Sequence, residues 1–301
     1  MKILITGATG LIGRVISIKL LNKGYRVNFL TTSKKKINSI DGCNGFYWDP
    51  QKGVIDLNAF DGVTHLINLA GTSISRRWTK KHKNKIIESR VLSANIIYNS
   101  LIDLQIKLKG IISASAIGYY PNSEKYFNES DSFLPENFLQ RVVQKWEKAI
   151  TELETHTQNL LILRIGLVIS SKGGILSYIV PPIKFCFGSA FGSGNQWQSW
   201  IHIDDLAEIF LYSIENSLSG IINAVAPCPI TQNKLIKSLA NYLNRPIIFP
   251  NIPNFVVKFF FNERSQLFLG SQKISSKKIE KKGFKFKFKI FENAISDLKI
   301  K

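Results

Sequence analysis

Over its first two-thirds the chain alternates short apolar runs with longer amphipathic stretches. "KILIT" (2–6), "RVNFL" (26–30), "THLINLAG" (64–71), "KGIISASA" (109–116) and "LLILRIGLV" (160–168) read as buried parallel strands. Between them, Gly13 to Asn22, Lys80 to Leu104 and Phe138 to Glu154 read as helices. This alternation predicts an α/β fold with a doubly wound parallel sheet. The pattern shifts after about Pro229. "TQNKLIKSLANYLNRP" is expected to be a helix closed by Arg-Pro, and "IPNFVVKFFF" a buried helix. "FKFKFKI" (284–290) alternates with period two, which suits an edge strand with one wet face. The expected organisation is a main domain over 1–230 and a small C-terminal cap over 245–299.

The first predicted strand runs into Gly7-x-x-Gly10-x-x-Gly13 and then an apolar helix. That order suits a dinucleotide whose pyrophosphate sits on a helix N-terminus. One glycine permits the tight turn, one the close backbone approach, and one the packing of helix on strand. Thr6, Gly7, Thr9, Gly10, Leu11, Ile12 and Gly13 are therefore candidate cofactor residues, with a plain glycine-rich turn as the alternative. An NAD site usually carries an acid about 20 residues further on, to hold the ribose 2′-hydroxyl. Here the stretch is "LTTSKKK", and Thr32, Ser33 and Lys34 suit a 2′-phosphate. NADP(H) is favoured on that ground, with NAD(H) as the alternative.

Charge adds less than its size suggests. The chain has 301 residues and a net charge of +19, with lysines densest at 80–85 and 273–289. Lys, Asn, Ile and Phe share A/T-rich codons, and no nucleic-acid motif accompanies the charge. A solvated basic surface is expected, and a nucleic-acid partner is not. No run approaches a membrane span and the N-terminus lacks the form of a signal peptide, so no membrane partner is expected. Cys43, Cys186 and Cys228 are scattered and the four histidines show no ligand spacing. These features read as a cytoplasmic, metal-free chain with free thiols.

Several ordered motifs carry a resemblance. They include "NLAG" (68–71), "SASAIGYY" (113–120), "YWD" (47–49), "RRWT" (76–79), "ESR" (88–90) and "FLQRVVQKWE" (138–147). Others are "LRIGLVIS" (163–170), "GSGNQWQSWIHIDDL" (192–206), "NAVAPCPITQN" (223–233) and "NERSQLFLGSQK" (262–273). With these, the chain resembles the extended short-chain dehydrogenase/reductases, and among them the atypical epimerase family. That family is described as NAD-dependent epimerase/dehydratase-like and carries a C-terminal domain of unknown function. The resemblance implies a Rossmann-type sheet with the tail as a substrate-side cap. It implies that Asp49 faces the adenine and that Asn68, Leu69, Ala70, Gly71 and Arg90 line the cofactor. Ser115 falls at the catalytic serine position. Plainer roles stand beside these: Asn68 tying two loops, Asp49 capping a turn, Ser115 packing.

One departure weakens the implied chemistry. The superfamily's acid/base tyrosine and its lysine belong on the helix after the serine strand. Phe138 or Leu139 and Val142 or Val143 stand there instead. Tyr119 and Tyr120 are then candidate proton carriers, with Glu129 and His202 weaker ones. Arg164 could meet an acidic substrate group or form an ion pair. "FGSGNQWQSW" suits a substrate lid in which Trp197 and Trp200 offer flat apolar surface. Two functions are compatible with this: an oxidoreductase or epimerase acting on a small carbonyl or sugar-nucleotide-like substrate, or a catalytically silent dinucleotide-binding redox sensor. Oligomeric state is not legible.

Overall fold

The structure is a computed structural model, and it describes residues 1–300 of the chain. The apolar runs of the N-terminal half become strands that are almost wholly buried, joined by two strands, at 43–49 and 54–55, that are mostly half-buried or exposed. These are β1 (Lys2–Thr6), β2 (Arg26–Thr31), β3 (Cys43–Asp49), β4 (Val54–Ile55), β5 (His65–Asn68) and β6 (Leu108–Ala116). With Thr157–Ile165 and Gly220–Ala224 they form an eight-stranded sheet. Its order is Gly220–Ala224, Thr157–Ile165, β6, β5, β1, β2, β3, β4. β1 pairs in parallel with β2 on one side and β5 on the other, so chain order reverses beside β1. An open α/β sheet keeps its ligand crevice at such a reversal, outside the carboxyl ends of the strands. Register sets Thr6 opposite Asn68, and Asn68 opposite Ser113.

Three helices belong with this sheet. α1 (Leu11–Asn22) starts from Gly10 with no side-chain cap. The N-cap of α2 (Lys80–Asp103) is Thr79, whose hydroxyl accepts from the His82 N–H. α3 (Phe138–Thr151) starts in a capping box of Asn137 and Gln140. Apart from the strand-end residues Ile165, Asn223 and Ala224, the sheet and these helices lie in one compact unit, Met1–Tyr119, Pro135–Arg164 and Ala207–Ile222. The second unit comprises Tyr120–Leu134, Ile165–Leu206 and Asn223–Lys301. It holds a three-stranded sheet in the order Gly173–Gly174, Leu167–Ser170, Trp200–His202. It also holds the helices Gln232–Tyr242, Asn254–Phe261 and Phe291–Asp297.

Three local expectations are corrected. "LLILRIGLV" is two strands, because the chain changes sheets at Gly166; a Cβ there would meet the Ser199 carbonyl oxygen at 2.5 Å. Among the described residues, "FKFKFKI" pairs with no strand. Its alternation is nonetheless real, since Phe284, Phe286 and Phe288 are buried. The Lys287 and Phe288 N–H groups donate at 2.9 Å to the Asp205 carboxylate, which takes the place of a ladder. "IPNFVVKFFF" does contain a helix, but Phe255, Phe259 and Phe260 on it are exposed and only Val257 is buried.

Candidate cofactor and active site

The three glycines do separate work. Gly7 has φ +71°, and a Cβ on it would stand 2.9 Å from the Leu69 carbonyl oxygen. A Cβ on Gly13 would stand 2.4 Å from the Gly7 oxygen and 2.6 Å from the Ala8 Cα, so helix and turn touch backbone to backbone. Gly10 is exposed at the N-terminus of α1, whose first turn carries no acid. An uncapped helix start of 12 residues behind a glycine cradle fits a phosphate group. Thr9, Leu11 and Ile12 are half-buried around it.

Thr6 works inward. It is fully buried; its hydroxyl donates to Asn68 Oδ1 at 2.7 Å and accepts from the Leu69 and Ala70 N–H groups at 3.1 Å. Asn68 Nδ2 in turn donates to Ser113 Oγ at 3.1 Å. This buried chain ties β1, β5 and β6 together, so the side chain of Asn68 links strands, not loops.

At the end of β2, Thr32 and Lys34 are exposed and Ser33 is half-buried. The Lys34 ammonium lies 5.3 Å over the Tyr47 ring. Asp49 caps a turn by accepting from the Gln51 N–H at 3.2 Å.

After β5, Gly71 faces the guanidinium of Arg90, and a Cβ on it would meet Arg90 Cζ at 3.0 Å. Arg90 donates to the Thr72 and Ile86 carbonyls at 3.1 and 2.9 Å and lies 4.8 Å over the Trp146 ring. Its buried Nε has no hydrogen-bond partner among the described residues, and burial pushes its pKa down to about 10.

At the end of β6, Ser115 meets a residue absent from the sequence-derived candidates. Its hydroxyl donates to Glu147 Oε1 at 2.6 Å. Arg164 grips the same carboxylate bidentately, Nε to Oε1 at 2.9 Å and Nη2 to Oε2 at 2.8 Å. All three side chains are buried. The Arg164 guanidinium carbon lies 3.5 Å from the centroid of the Tyr119 ring. Arg164 is thus the ion-pair alternative. A signal for Glu147 existed: it lies one turn after Val143, on the buried stripe of α3. The positions expected to hold Tyr and Lys are apolar, and Phe138, Val142 and Val143 are buried.

The remaining candidates lie in the second unit. Tyr120 is a core residue, donating to Asn223 Oδ1 at 2.8 Å and stacked on Phe127. Trp200 offers no face to a ligand: it is fully buried in the three-stranded sheet and donates to the Cys228 carbonyl at 2.8 Å. Trp197 is half-buried with the Lys273 ammonium 3.8 Å over its ring. Glu129 accepts from the Asn223 N–H at 2.8 Å. His202 Nδ1 accepts from the Asp204 N–H at 3.2 Å, and its Nε2 stands 3.8 Å from Asp297 without a hydrogen bond. Burial lowers its pKa, with Asp204 and Asp297 opposing, so the ring is neutral near pH 7. His202, Asp204 and Asp297 bring potential ligand atoms within 4.8 Å of one another, although Lys287 already takes Asp297 at 3.3 Å.

Glycine cradle, strand reversal and serine strand coincide with a family match. Residues 3–224 match the NAD dependent epimerase/dehydratase family. The chain belongs to that family. Residues 252–298 match a domain of unknown function, DUF1731. The epimerase family protein SSP1921 of Staphylococcus saprophyticus is 33% identical over 302 residues, 98% of each chain. The chloroplastic epimerase family protein SDR39U1 homolog of Arabidopsis thaliana is 32% identical, covering 98% of this chain and 86% of its own. Among solved structures, human epimerase family protein SDR39U1 (isoform 2) with NADPH aligns with TM-score 0.87 at 25% identity over 99% of both chains. Among the described residues, no helix is long and apolar enough to cross a membrane.

Proposed function

We propose that this epimerase-family chain binds NADP(H) and serves as an oxidoreductase or epimerase for a small carbonyl or sugar-nucleotide-like substrate. The observation that carries the reading is the pairing of the glycine cradle with a β2 end that holds Thr32, Ser33 and Lys34 and no acid. The NADPH in the human relative's structure supports the same choice. When bound, the nicotinamide would supply hydride transfer. Gly7, Gly10 and Gly13 would admit the pyrophosphate, and Asn68 to Gly71 would line the crevice. Ser115 Oγ, its proton given to Glu147, would accept a hydrogen bond from a substrate hydroxyl. Tyr119, its ring against the Arg164 guanidinium, is the candidate proton carrier. Free Cys43, Cys186 and Cys228 support a cytoplasmic setting.

A silent sensor is the second reading, favoured by the apolar Phe138, Leu139, Val142 and Val143 and by a Ser115 proton already held by Glu147. Incubation with a carbonyl and sugar-nucleotide panel, followed by loss of NADPH absorbance for reduction and by product chromatography for redox-neutral epimerisation, separates the two. The enzyme reading expects turnover with some substrate, reduced about 100-fold or more by Tyr119→Phe. Tight cofactor binding without turnover on any substrate would establish the sensor instead.

A further inference from the structure

In the second unit, the helix Asn254–Phe261 presents Phe255, Phe259 and Phe260 at 74%, 77% and 71% exposure. A folded chain rarely leaves three neighbouring phenyl rings in water without a use for them. The apolar surface continues beyond the helix. Ile252 N donates to the Ala190 carbonyl at 2.8 Å and Gly192 N to the Ile252 carbonyl at 2.7 Å, tying the 185–192 loop to the segment that leads into the helix. On those two segments Phe187 stacks on Phe249 with centroids 5.3 Å apart, and Phe185, Phe187, Ile248 and Phe249 are exposed.

The charge on this face is mostly positive, and the first carboxylate after it in the chain is Glu263, exposed just past the helix. Neither residues 155–203 nor residues 216–262 contain an aspartate or glutamate. Lys184, Arg245 and Lys258, all exposed, lie on or beside the aromatic segments. We propose that this face docks the protein peripherally on an anionic lipid bilayer. Phenyl rings enter the boundary between headgroups and acyl chains, while the cations meet lipid phosphates. A second copy fits worse, since it would bring the same predominantly cationic face on a chain of net charge +19. Single-stranded nucleic acid also fits worse: the exposed Ile247 and Ile248 cannot stack on bases, and three cations do not make a groove that tracks a backbone. The expectation of no membrane partner rested on the length of apolar runs, and peripheral docking needs no spanning segment.

The test is flotation of the full chain with vesicles of phosphatidylcholine alone and of an equal mixture with phosphatidylglycerol. It is run on the wild type, on Phe255→Ser/Phe259→Ser/Phe260→Ser combined, and on Lys258→Glu. The rings are exposed, so circular dichroism and the urea midpoint should not change; Phe259→Ser alone serves if the triple variant does not fold. The expected result is binding to the anionic vesicles that falls about tenfold or more in the triple variant and on neutral vesicles, with a smaller loss for Lys258→Glu. Three results would overturn the proposal. They are no binding by the wild type, undiminished binding by the folded aromatic variants, and a wild-type dimer that the variants dissociate.

Discussion

Glu147 is the residue on which the candidate active site turns. It holds Ser115 and Arg164 in one buried cluster, and Arg164 in turn supports Tyr119. Removing the carboxylate leaves a buried guanidinium without its counter-charge. Glu147→Ala is therefore expected to cost about 3–5 kcal/mol in urea unfolding. Glu147→Leu with Arg164→Met removes both charges, and most of that stability should return. Equal losses in the single and double variants would mean that packing, not the ion pair, governs the site. Arg90 presents the opposite arrangement, a cation with two carbonyls and an indole face but no carboxylate, and burial makes its charge harder to keep.

At the scale of elements, the strand Trp200–His202 passes directly into the helix Ile203–Glu215, and His202 sits at the joint against the Phe288 ring. Burial depresses the pKa of His202. Burial also depresses that of His65 in β5, with Lys109 and the N-terminus adding to it. The folded chain thus binds these protons more weakly than the unfolded chain. Stability should be complete above about pH 6.5 and decline as pH falls below it towards the lower folded values. Asp205 works in the opposite sense: burial raises its pKa, the Lys287 and Phe288 N–H groups partly offset this, and its effect begins above about pH 3.9. Urea midpoints measured between about pH 5 and 7.5 should rise with pH, and His65→Gln with His202→Gln should flatten the slope. An unchanged slope in that variant would place the proton uptake elsewhere.

Elements were legible in the sequence where burial and backbone pairing agree. β1, β2, β5 and β6 are continuous apolar runs, and the glycine spacing marked the βα turn. The misreadings share one cause, which is that a local pattern does not name its partner. Period-two phenylalanines at 284–288 bury one face without a neighbouring strand, because Asp205, about eighty residues earlier in the chain, satisfies the N–H groups. The all-round apolar helix 254–261 implied burial, yet the fold leaves its phenyl rings outside. Trp200 lies in a glycine-rich stretch that suggested a lid, but it is a sheet residue.

For the whole molecule, cofactor residues were more legible than catalytic ones. A dinucleotide is held by backbone, so its requirements appear as glycines at fixed spacing. Proton chemistry depends on side chains that converge from β6, α3 and the strand Thr157–Ile165, and Glu147 could be placed beside Ser115 only once those elements were assembled. The central claim is that this family member holds a nicotinamide dinucleotide on the cradle of Gly7, Gly10 and Gly13 and prefers the 2′-phosphate form. Calorimetric titration with NADPH, NADP+, NADH and NAD+, on the wild type and on Gly10→Asp, tests it most directly. The account predicts tighter binding of NADPH than of NADH, abolished in Gly10→Asp while the unfolding midpoint holds. Failure of the wild type to bind any of the four would contradict it, and the glycines would then serve only a tight turn.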